Sequence, residues 1–176
     1  PLLFEPGAEF NYSVATDVLG RLVEVISGQS LDQFLRSRIL DPLGMTDTAF
    51  WVDGARADRL AAAYMANPAG PAAPALLING DAALTRPTAL SGGGGLIGPA
   101  GDYFRFAEML RRGGELDGVR LLSPRTVAYM ARNQLPGGVD LETFGRPLFA
   151  ETTFDGVGFG LGLSVVTDPA AGKVLT

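Results

Sequence analysis

The N-terminal part of the chain carries apolar residues at helical spacing. After Ser13 they fall on one broad face of a segment that ends at Gly28: Val18, Leu19, Leu22, Val23, Val25 and Ile26. Ser13 or Thr16 is suited to cap the start of this helix, and Gly28 can adopt the left-handed conformation at its end. The pattern predicts an amphipathic helix that closely follows a Pro6-Gly7 pair, which suits the centre of a type II turn.

A second helix is predicted a few residues later. Ser30 and Gln33 form a capping-box pattern, with Ser30 at the N-cap. The apolar residues that follow share one helix face: Leu31, Phe34, Leu35 and Ile39. Asp41-Pro42 then ends the helix.

The middle of the chain has a weaker pattern. Residues 53–91 contain scattered prolines and predict an irregular excursion, with a short strand at Leu76-Leu77-Ile78 before a turn at Asn79-Gly80. A helix is predicted from Pro99 to Arg112, with an apolar face of Tyr103, Phe106, Ala107 and Leu110. Ser123-Pro124 is typical of the start of another helix, which continues to Arg132.

The period changes to two near the C-terminus. From Gly158 to Val165, bulky apolar residues alternate with glycine and serine, which predicts a strand with one almost bare face. Such a face allows another segment to approach closely. A turn is predicted at 168–172 and a second strand at 173–176.

Composition narrows the possible chemistry. The chain has 176 residues, of which 47% are hydrophobic and 19% charged, so it is typical of a globular protein. Its net charge of −5 and the lack of a basic cluster argue against a nucleic-acid partner. No apolar run approaches the length of about 20 residues that spans a bilayer. The compartment and the oligomeric state remain open.

Histidine and cysteine are absent, which excludes a Ser-His-Asp triad, a Cys-His dyad and a His-ligated metal. We expect no metal and no cofactor. The sequence G-x-G-x-x-G occurs at 93–98, but Pro87 interrupts the strand that a dinucleotide site requires before it. The G-x-S-x-G motif is absent, and so is S-x-x-K, since Ala170 precedes the single lysine, Lys173, by three positions. We interpret Lys173 as a turn residue.

Tyr12-Ser13-Val14 stands at the start of an ordered set of short motifs. Phe4-x-Pro6-Gly7 precedes it, and the others follow at fixed intervals: Val18-Leu19-Gly20, Val25-x-Ser27-Gly28, Pro42-Leu43-Gly44-Met45, Gly93-Gly94-Gly95-Leu96, Asp102-Tyr103-x-Arg105-Phe106, Gly113 to Gly118, Leu121 to Pro124 and Phe159 to Gly162. This set resembles the β-lactamase-like serine hydrolases, which include class C β-lactamases, D-alanyl-D-alanine carboxypeptidases and family VIII esterases.

The resemblance implies an α/β (α+β) fold of the β-lactamase/transpeptidase type. The chain is then an internal fragment of a single domain, with a mostly helical region at about 1–150 and the start of an antiparallel sheet hairpin at about 157–176. In this family the S-x-x-K motif lies upstream of the tyrosine motif, so we expect this chain alone to be inactive.

The resemblance also implies site residues. Tyr12 matches the catalytic tyrosine that relays protons with the motif lysine. A phenol titrates at a pH of about 10, and a neighbouring ammonium favours its ionised, basic form. Val14 stands where β-lactamases have asparagine, which favours an ester substrate over a lactam. Val14 and the loop Gly93, Gly94 and Gly95 are the candidate substrate contacts.

The resulting prediction is a carboxylesterase that acts on a small-molecule ester through an acyl-serine intermediate. β-Lactamase or D-Ala-D-Ala carboxypeptidase activity is an alternative, with a lactam as the substrate in the first case. A non-catalytic, penicillin-binding-like relative that only binds a ligand is another alternative, because fold by itself does not determine function.

Overall fold

The computed structural model describes residues 2–65, 75–78, 83–145 and 154–172. Their α-helices are α1 (Ala15–Ser27), α2 (Leu31–Leu35), α3 (Ala100–Arg111), α4 (Pro124–Met130) and α5 (Leu141–Phe144). Their strands are β1 (Ala63–Met65), β2 (Ala75–Ile78), β3 (Glu115–Leu116), β4 (Val119–Arg120), β5 (Val157–Phe159) and β6 (Ser164–Val166). Consecutive strands pair as the antiparallel hairpins β1–β2, β3–β4 and β5–β6. The chain forms two compact units, one of Val14–Ala107 and one of Pro1–Ser13 with Glu108–Thr176.

Helix α1 forms where the apolar pattern predicts it. Its C-terminal prediction is confirmed, because Gly28 has φ +68° and its N–H donates to the Glu24 carbonyl at 2.9 Å. The N-terminal prediction is wrong: Val14 occupies the N-cap position, and neither Ser13 nor Thr16 caps the helix. The Pro6-Gly7 turn is confirmed by φ +88° at Gly7 and by an Ala8 N–H to Glu5 carbonyl hydrogen bond of 3.1 Å.

Most of the predicted apolar face of α1 is exposed. Exposure runs from 49% at Leu22 to 77% at Ile26, with Val18, Leu19 and Val25 between these values. Gly20 is the buried residue of the helix. The side that packs within this unit is therefore the one around Gly20, whereas the side with the large apolar residues faces outward.

The predicted capping box before α2 does not form. Ser30 takes the N-cap position, but its side chain makes no capping hydrogen bond. Glu24 of α1 replaces it, because its carboxylate accepts the Leu31 N–H at 3.0 Å. Hydrogen bonds from Arg21 and from the Leu31 N–H lower the pKa of Glu24. After α2 the chain continues into a π-helical turn, Arg36–Leu40. The helical segment ends at Asp41, as predicted.

The core of the Val14–Ala107 unit lies between these helices and the segments that follow. Its buried apolar side chains are Leu31, Leu40, Leu43, Met45, Phe50 and Ala83. Thr48 is buried with them, and its hydroxyl donates to the Asp102 carboxylate at 2.9 Å. The same carboxylate accepts the Asp47 N–H at 3.0 Å. Asp102, in the first turn of α3, thus fixes the segment that carries Asp47 and Thr48.

The predicted strand at Leu76 to Ile78 is confirmed as part of β2. It pairs with β1, which lies earlier in the predicted irregular region, and Tyr64 stands opposite Leu76. The Asn79-Gly80 turn lies outside the described residues.

Helix α3 is confirmed within one residue at each end, but its predicted apolar face is confirmed only in part. Phe106 and Leu110 are partly buried, whereas Tyr103 and Ala107 are exposed. Met109 is buried, and the polar residues Asp102 and Arg105 are partly buried. Arg105 donates through Nε to the Leu43 carbonyl. The apolar pattern did not predict these two polar side chains on the buried side, where hydrogen bonds satisfy them.

In the other unit, β3 and β4 are joined by a two-residue turn. Asp117 has φ +50° and Gly118 φ +80°, as a type I′ turn requires. The start of α4 matches its prediction, since the Ser123 hydroxyl oxygen accepts the Thr126 N–H at 3.1 Å and Pro124 stands in the first turn.

The predicted single strand from Gly158 to Val165 is wrong, because this stretch turns back on itself as the β5–β6 hairpin. Gly162, with φ +80°, lies in the turn between the two strands. The bare face has the predicted effect. A Cβ at Gly158 would overlap the Asn133 amide, and one at Gly160 would overlap the Met130 carbonyl at the end of α4. A turn forms at 169–171, and the predicted strand at 173–176 lies outside the described residues.

Candidate functional site

The first turn of α1 holds the glycine-rich loop of the Val14–Ala107 unit. The Asp17 carboxylate accepts a hydrogen bond from the Ser91 hydroxyl and another from the Gly93 N–H, the latter at 3.3 Å. The Ser91 oxygen also accepts the Gly93 N–H at 3.2 Å. One carboxylate thus fixes both the start of the loop and its first predicted site residue.

Backbone packing at this point requires glycine. A Cβ at Gly92 would overlap the Thr16 carbonyl, and one at Gly93 would lie 2.6 Å from the Thr16 hydroxyl oxygen. On the helix side, a Cβ at Gly20 would lie 3.0 Å from Gly92. Gly92 and Gly93 therefore allow the loop to approach the helix closely.

The remaining glycines of the loop have different surroundings. Gly94 is open, since a Cβ there would have the Ser91 hydroxyl oxygen, 4.0 Å away, as its nearest neighbour. Gly95 adopts φ +84°, and a Cβ there would lie 3.6 Å from the Phe50 ring. The loop thus has one side against α1 and another towards Phe50.

Val14 lies at the N-terminus of the same helix. Its carbonyl accepts the N–H groups of Asp17 and Val18, at 3.1 and 3.2 Å. Its side chain is exposed. Of the predicted substrate contacts, Val14 and Gly93 are therefore both at the start of α1, one as the N-cap and the other bound to Asp17.

Tyr12 belongs to the other compact unit, whose first segment is Pro1–Ser13. Two residues earlier, the Phe10 N–H donates to the Phe144 carbonyl at 3.0 Å, and the Phe10 ring packs against Phe159 at a centroid distance of 5.1 Å. These contacts anchor the chain just before Tyr12. The Tyr12 side chain itself is 72% exposed.

Sequence reasoning missed Gly92, Asp17 and Ser91. The signal for Gly92 was present, because four glycines follow one another from Gly92 to Gly95. Asp17 gave no distinct signal, since an acidic residue in the first turn of a helix is ordinary.

Within the described ranges, no group of acidic side chains is placed to hold a metal ion. No helix of the described residues is long and apolar enough to cross a membrane.

Comparison with solved structures defines the fold class. The chain aligns with EstCE1, a hydrolase with promiscuous acyltransferase activity, at a TM-score of 0.72 and 32% identity. The alignment covers 97% of this chain and 44% of EstCE1. The fold is thus that of the β-lactamase/transpeptidase-like proteins.

The family follows from comparison of the sequences. The beta-lactamase family model matches residues 1–174, and the chain belongs to this family of β-lactamase-like serine hydrolases and penicillin-binding proteins. Protein Rv1367c of Mycobacterium tuberculosis is 40% identical over 99% of this chain and 42% of its own length. Esterase EstB of Burkholderia gladioli is 33% identical over 97% of this chain and 43% of its own length. The chain therefore spans less than half the length of these relatives.

Proposed function

We propose that this chain is part of a serine hydrolase that cleaves carboxylic esters through an acyl-serine intermediate, with Tyr12 as the general base. The observation that carries the proposal is the motif Tyr12-Ser13-Val14, which directly precedes α1. The chain that contains it is 33% identical to Esterase EstB over 97% of the residues of this chain. The exposure of Tyr12 supports the role, because a general base must reach the proton it removes.

The proposed reaction has two stages. Tyr12 takes the proton from a serine hydroxyl of the S-x-x-K motif while the serine oxygen attacks the ester carbonyl carbon. The tetrahedral intermediate then expels the alcohol, which leaves with a proton, and the serine remains acylated. Water attacks the acyl-serine in the second stage, releases the carboxylic acid and restores the serine. The serine and lysine of this motif belong to the longer protein, since S-x-x-K does not occur in this chain.

Val14 supports esters over lactams as the substrate class. An asparagine at this position carries an amide that can hydrogen-bond a lactam substrate, whereas the valine side chain offers only apolar contact. Val14 is exposed at the N-cap of α1, so its side chain is available to a ligand. We include Gly93, Gly94 and Gly95 as proposed substrate contacts, and we treat the chain as part of a single β-lactamase-like domain.

A fluorophosphonate probe tests the proposal, because such probes label activated serines covalently. The full-length protein should be labelled at one serine, within S-x-x-K and outside residues 1–176. The purified 176-residue chain should not be labelled. Hydrolysis of 4-nitrophenyl acetate by the full-length protein is the matching activity assay.

Two results would contradict the proposal. Stoichiometric labelling of a serine within 1–176 would place the nucleophile in this chain. A folded full-length protein that neither reacts with the probe nor hydrolyses the ester would instead indicate a ligand-binding relative without catalytic activity.

A further inference from the structure

A cavity of about 720 Å³ lies within the Val14–Ala107 unit, on the side of the glycine-rich loop that faces Phe50. Its volume falls in the range of about 300–1,000 Å³ that is usual for small-molecule sites. Most of the lining is apolar, and its larger side chains are Phe50, Trp51, Leu60, Pro87, Leu96 and Ile97. A site with these walls favours the burial of hydrocarbon surface.

The arginines of the lining are paired with carboxylates of the protein. Arg56 and Arg59 both pair with Asp47, at 2.9 and 2.8 Å, and Arg56 also pairs with Asp53 at 2.8 Å. Hydrogen bonds from Arg59 and Arg56 lower the pKa of Asp47, so its carboxylate stays ionised and keeps both guanidinium groups engaged. The two arginines are therefore committed to carboxylates of the protein, and the cavity suits an uncharged group better than an anion.

The cavity is lined in part by the glycine-rich loop that contains the proposed substrate contacts Gly93, Gly94 and Gly95. Ser91, Gly95 and Leu96 line it. Ser91 at the same time donates to Asp17 in the first turn of α1, next to Gly93. A ligand group in the cavity would thus contact the same short loop that contains the proposed substrate contacts.

We propose that this cavity binds the apolar hydrocarbon part of the ester substrate, as a subsite lined by Phe50, Trp51 and Leu96. This inference rests on the proposed ester hydrolysis for its substrate class. It adds that the enzyme prefers esters with a bulky or long hydrocarbon group over acetates of small alcohols. The hydrocarbon group can come from the acyl side or from the alcohol side of the ester, and the experiment below separates the two.

Binding is measured first, without catalysis, in the full-length protein. The probes are two neutral amides that resist hydrolysis, N-methyloctanamide for the acyl side and N-heptylacetamide for the alcohol side. Trp51 is the single tryptophan of this chain and lines the cavity, so binding should change its fluorescence in a saturable manner. The part of the signal that is lost in Trp51→Phe belongs to this residue even where the longer protein contains other tryptophans.

Two cavity-filling variants locate the site. Ala61 and Ala89 line the cavity with small side chains, and Ala61→Phe or Ala89→Phe should weaken amide binding by about tenfold or more, the scale at which a filled apolar pocket discriminates. Ala170→Phe, in an exposed turn outside the cavity, is the matched control and should bind the amides as the unchanged protein does. Unchanged affinity in both filling variants, or no Trp51 response to either amide, would overturn the inference.

Kinetics then decide which side of the ester occupies the cavity. If the acyl side does, the filling variants should lower the ratio of kcat/KM for 4-nitrophenyl octanoate over 4-nitrophenyl acetate. If the alcohol side does, the ratio for octyl acetate over methyl acetate should fall instead. If neither ratio falls, the subsite assignment is wrong. The unchanged protein could also bind the amides saturably and yet fail to hydrolyse the acetates. This result would contradict the proposed function but would support the binding site.

Discussion

Asp17 shows how one side chain organises the candidate site. It stands in the first turn of α1, where a carboxylate usually caps the helix or interacts with its dipole. Here the carboxylate binds Ser91 and Gly93 of the glycine-rich loop. The loop therefore depends on an acceptor from outside its own sequence.

Asp17→Ala should destabilise this unit, because the partly buried Ser91 hydroxyl loses its acceptor and the Gly93 N–H retains only the Ser91 oxygen. We expect a loss of about 1–3 kcal/mol in the free energy of unfolding, the usual cost of an unsatisfied, partly buried polar group. The measurement is urea unfolding of the full-length protein. Asp58→Ala is the matched control, since Asp58 is exposed. Equal stability of the two variants would show that Asp17 does not hold the loop.

At the residue scale, the sequence predicted backbone conformations better than the hydrogen-bond partners of side chains. Gly7 and Gly28 were placed correctly in left-handed positions, because few other residues tolerate positive φ. The capping role of Ser30 was wrong, since Glu24 of a neighbouring helix supplies the acceptor. A local motif cannot report competition from a side chain brought in by tertiary packing.

At the scale of elements, the β5–β6 hairpin depends on its glycines. Gly160 packs against the end of α4. Its N–H donates to the Leu163 carbonyl within the hairpin at 2.7 Å, and the Leu161 N–H donates to the Met130 carbonyl of α4 at 2.9 Å. This backbone contact leaves no room for a side chain on Gly160.

Gly160→Ala should therefore destabilise the protein by about 1–3 kcal/mol, as overpacking does. Gly101→Ala is the matched control, since a Cβ there meets nothing within 4 Å and Gly101 lies in α3. The control should be neutral or more stable by up to about 1 kcal/mol, because alanine favours helix. Thermal unfolding of both variants measures the difference, and a neutral Gly160→Ala would contradict the packing at α4.

Glu108 gives α3 a pH-dependent contribution. Hydrogen bonds from Arg111 and then Arg112 lower its pKa to about 2, from about 4.3 for a free glutamate. The folded state thus binds this proton less readily than the unfolded state. The pairing stabilises the fold at pH above about 4.3, and this contribution is lost as the pH falls towards about 2.

Glu108→Gln should accordingly be less stable than the unchanged protein at pH 7, by a difference that narrows as the pH falls from about 4.3 to about 2. Added salt should also reduce the difference at pH 7, because both arginines are largely exposed. Denaturant unfolding across this pH range measures it. A difference that stays constant down to the acid end of the range would contradict the role of the ion pairs.

The positions of the longer helices were predicted well from the sequence, but the β5–β6 turn was missed and the faces that the helices bury were predicted only in part. The alternation from Gly158 to Val165 continues across a turn. The period of two therefore predicted one strand where two strands form. On α3, Asp102 and Arg105 point inward because Thr48 and Leu43 offer them partners. Both errors come from contacts between segments distant in sequence.

At the scale of the whole molecule, the exposed apolar face of α1 is the feature that packing among the described residues does not explain. Val18, Leu22 and Ile26 lie on one side of the helix, and their exposure ranges from 49% to 77%. Large contiguous apolar patches of this kind usually mark an interaction surface. The relatives Protein Rv1367c and Esterase EstB are more than twice as long as this chain.

The 176-residue chain purified alone should therefore self-associate. We expect a concentration-dependent mass above 18.4 kDa by light scattering. Leu22→Glu together with Ile26→Glu should reduce the association, because the charges interrupt the apolar face. Leu161→Glu, at an exposed position in the turn between β5 and β6, is the control and should not reduce it. A strictly monomeric chain would show that the exposed face does not drive association.

The family could be recognised from the order and spacing of motifs, although each motif alone is weak. The fold class followed from that recognition, and the family and structural comparisons confirm it. The role of Asp17 and the apolar cavity could not be predicted, because both depend on how the segment around 91–97 packs against α1 and Phe50.

The central claim is that Tyr12 is the general base of an ester hydrolase. Its most direct test is the steady-state hydrolysis of 4-nitrophenyl acetate by the full-length protein and its Tyr12→Phe variant, with Tyr103→Phe as a control of equal exposure. We predict that Tyr12→Phe lowers kcat by roughly 100-fold or more, the usual scale for loss of a general base, with an unchanged circular dichroism spectrum. Tyr103→Phe should retain the activity. A folded Tyr12→Phe variant that loses less than about threefold in kcat, well below the general-base scale, would contradict the account.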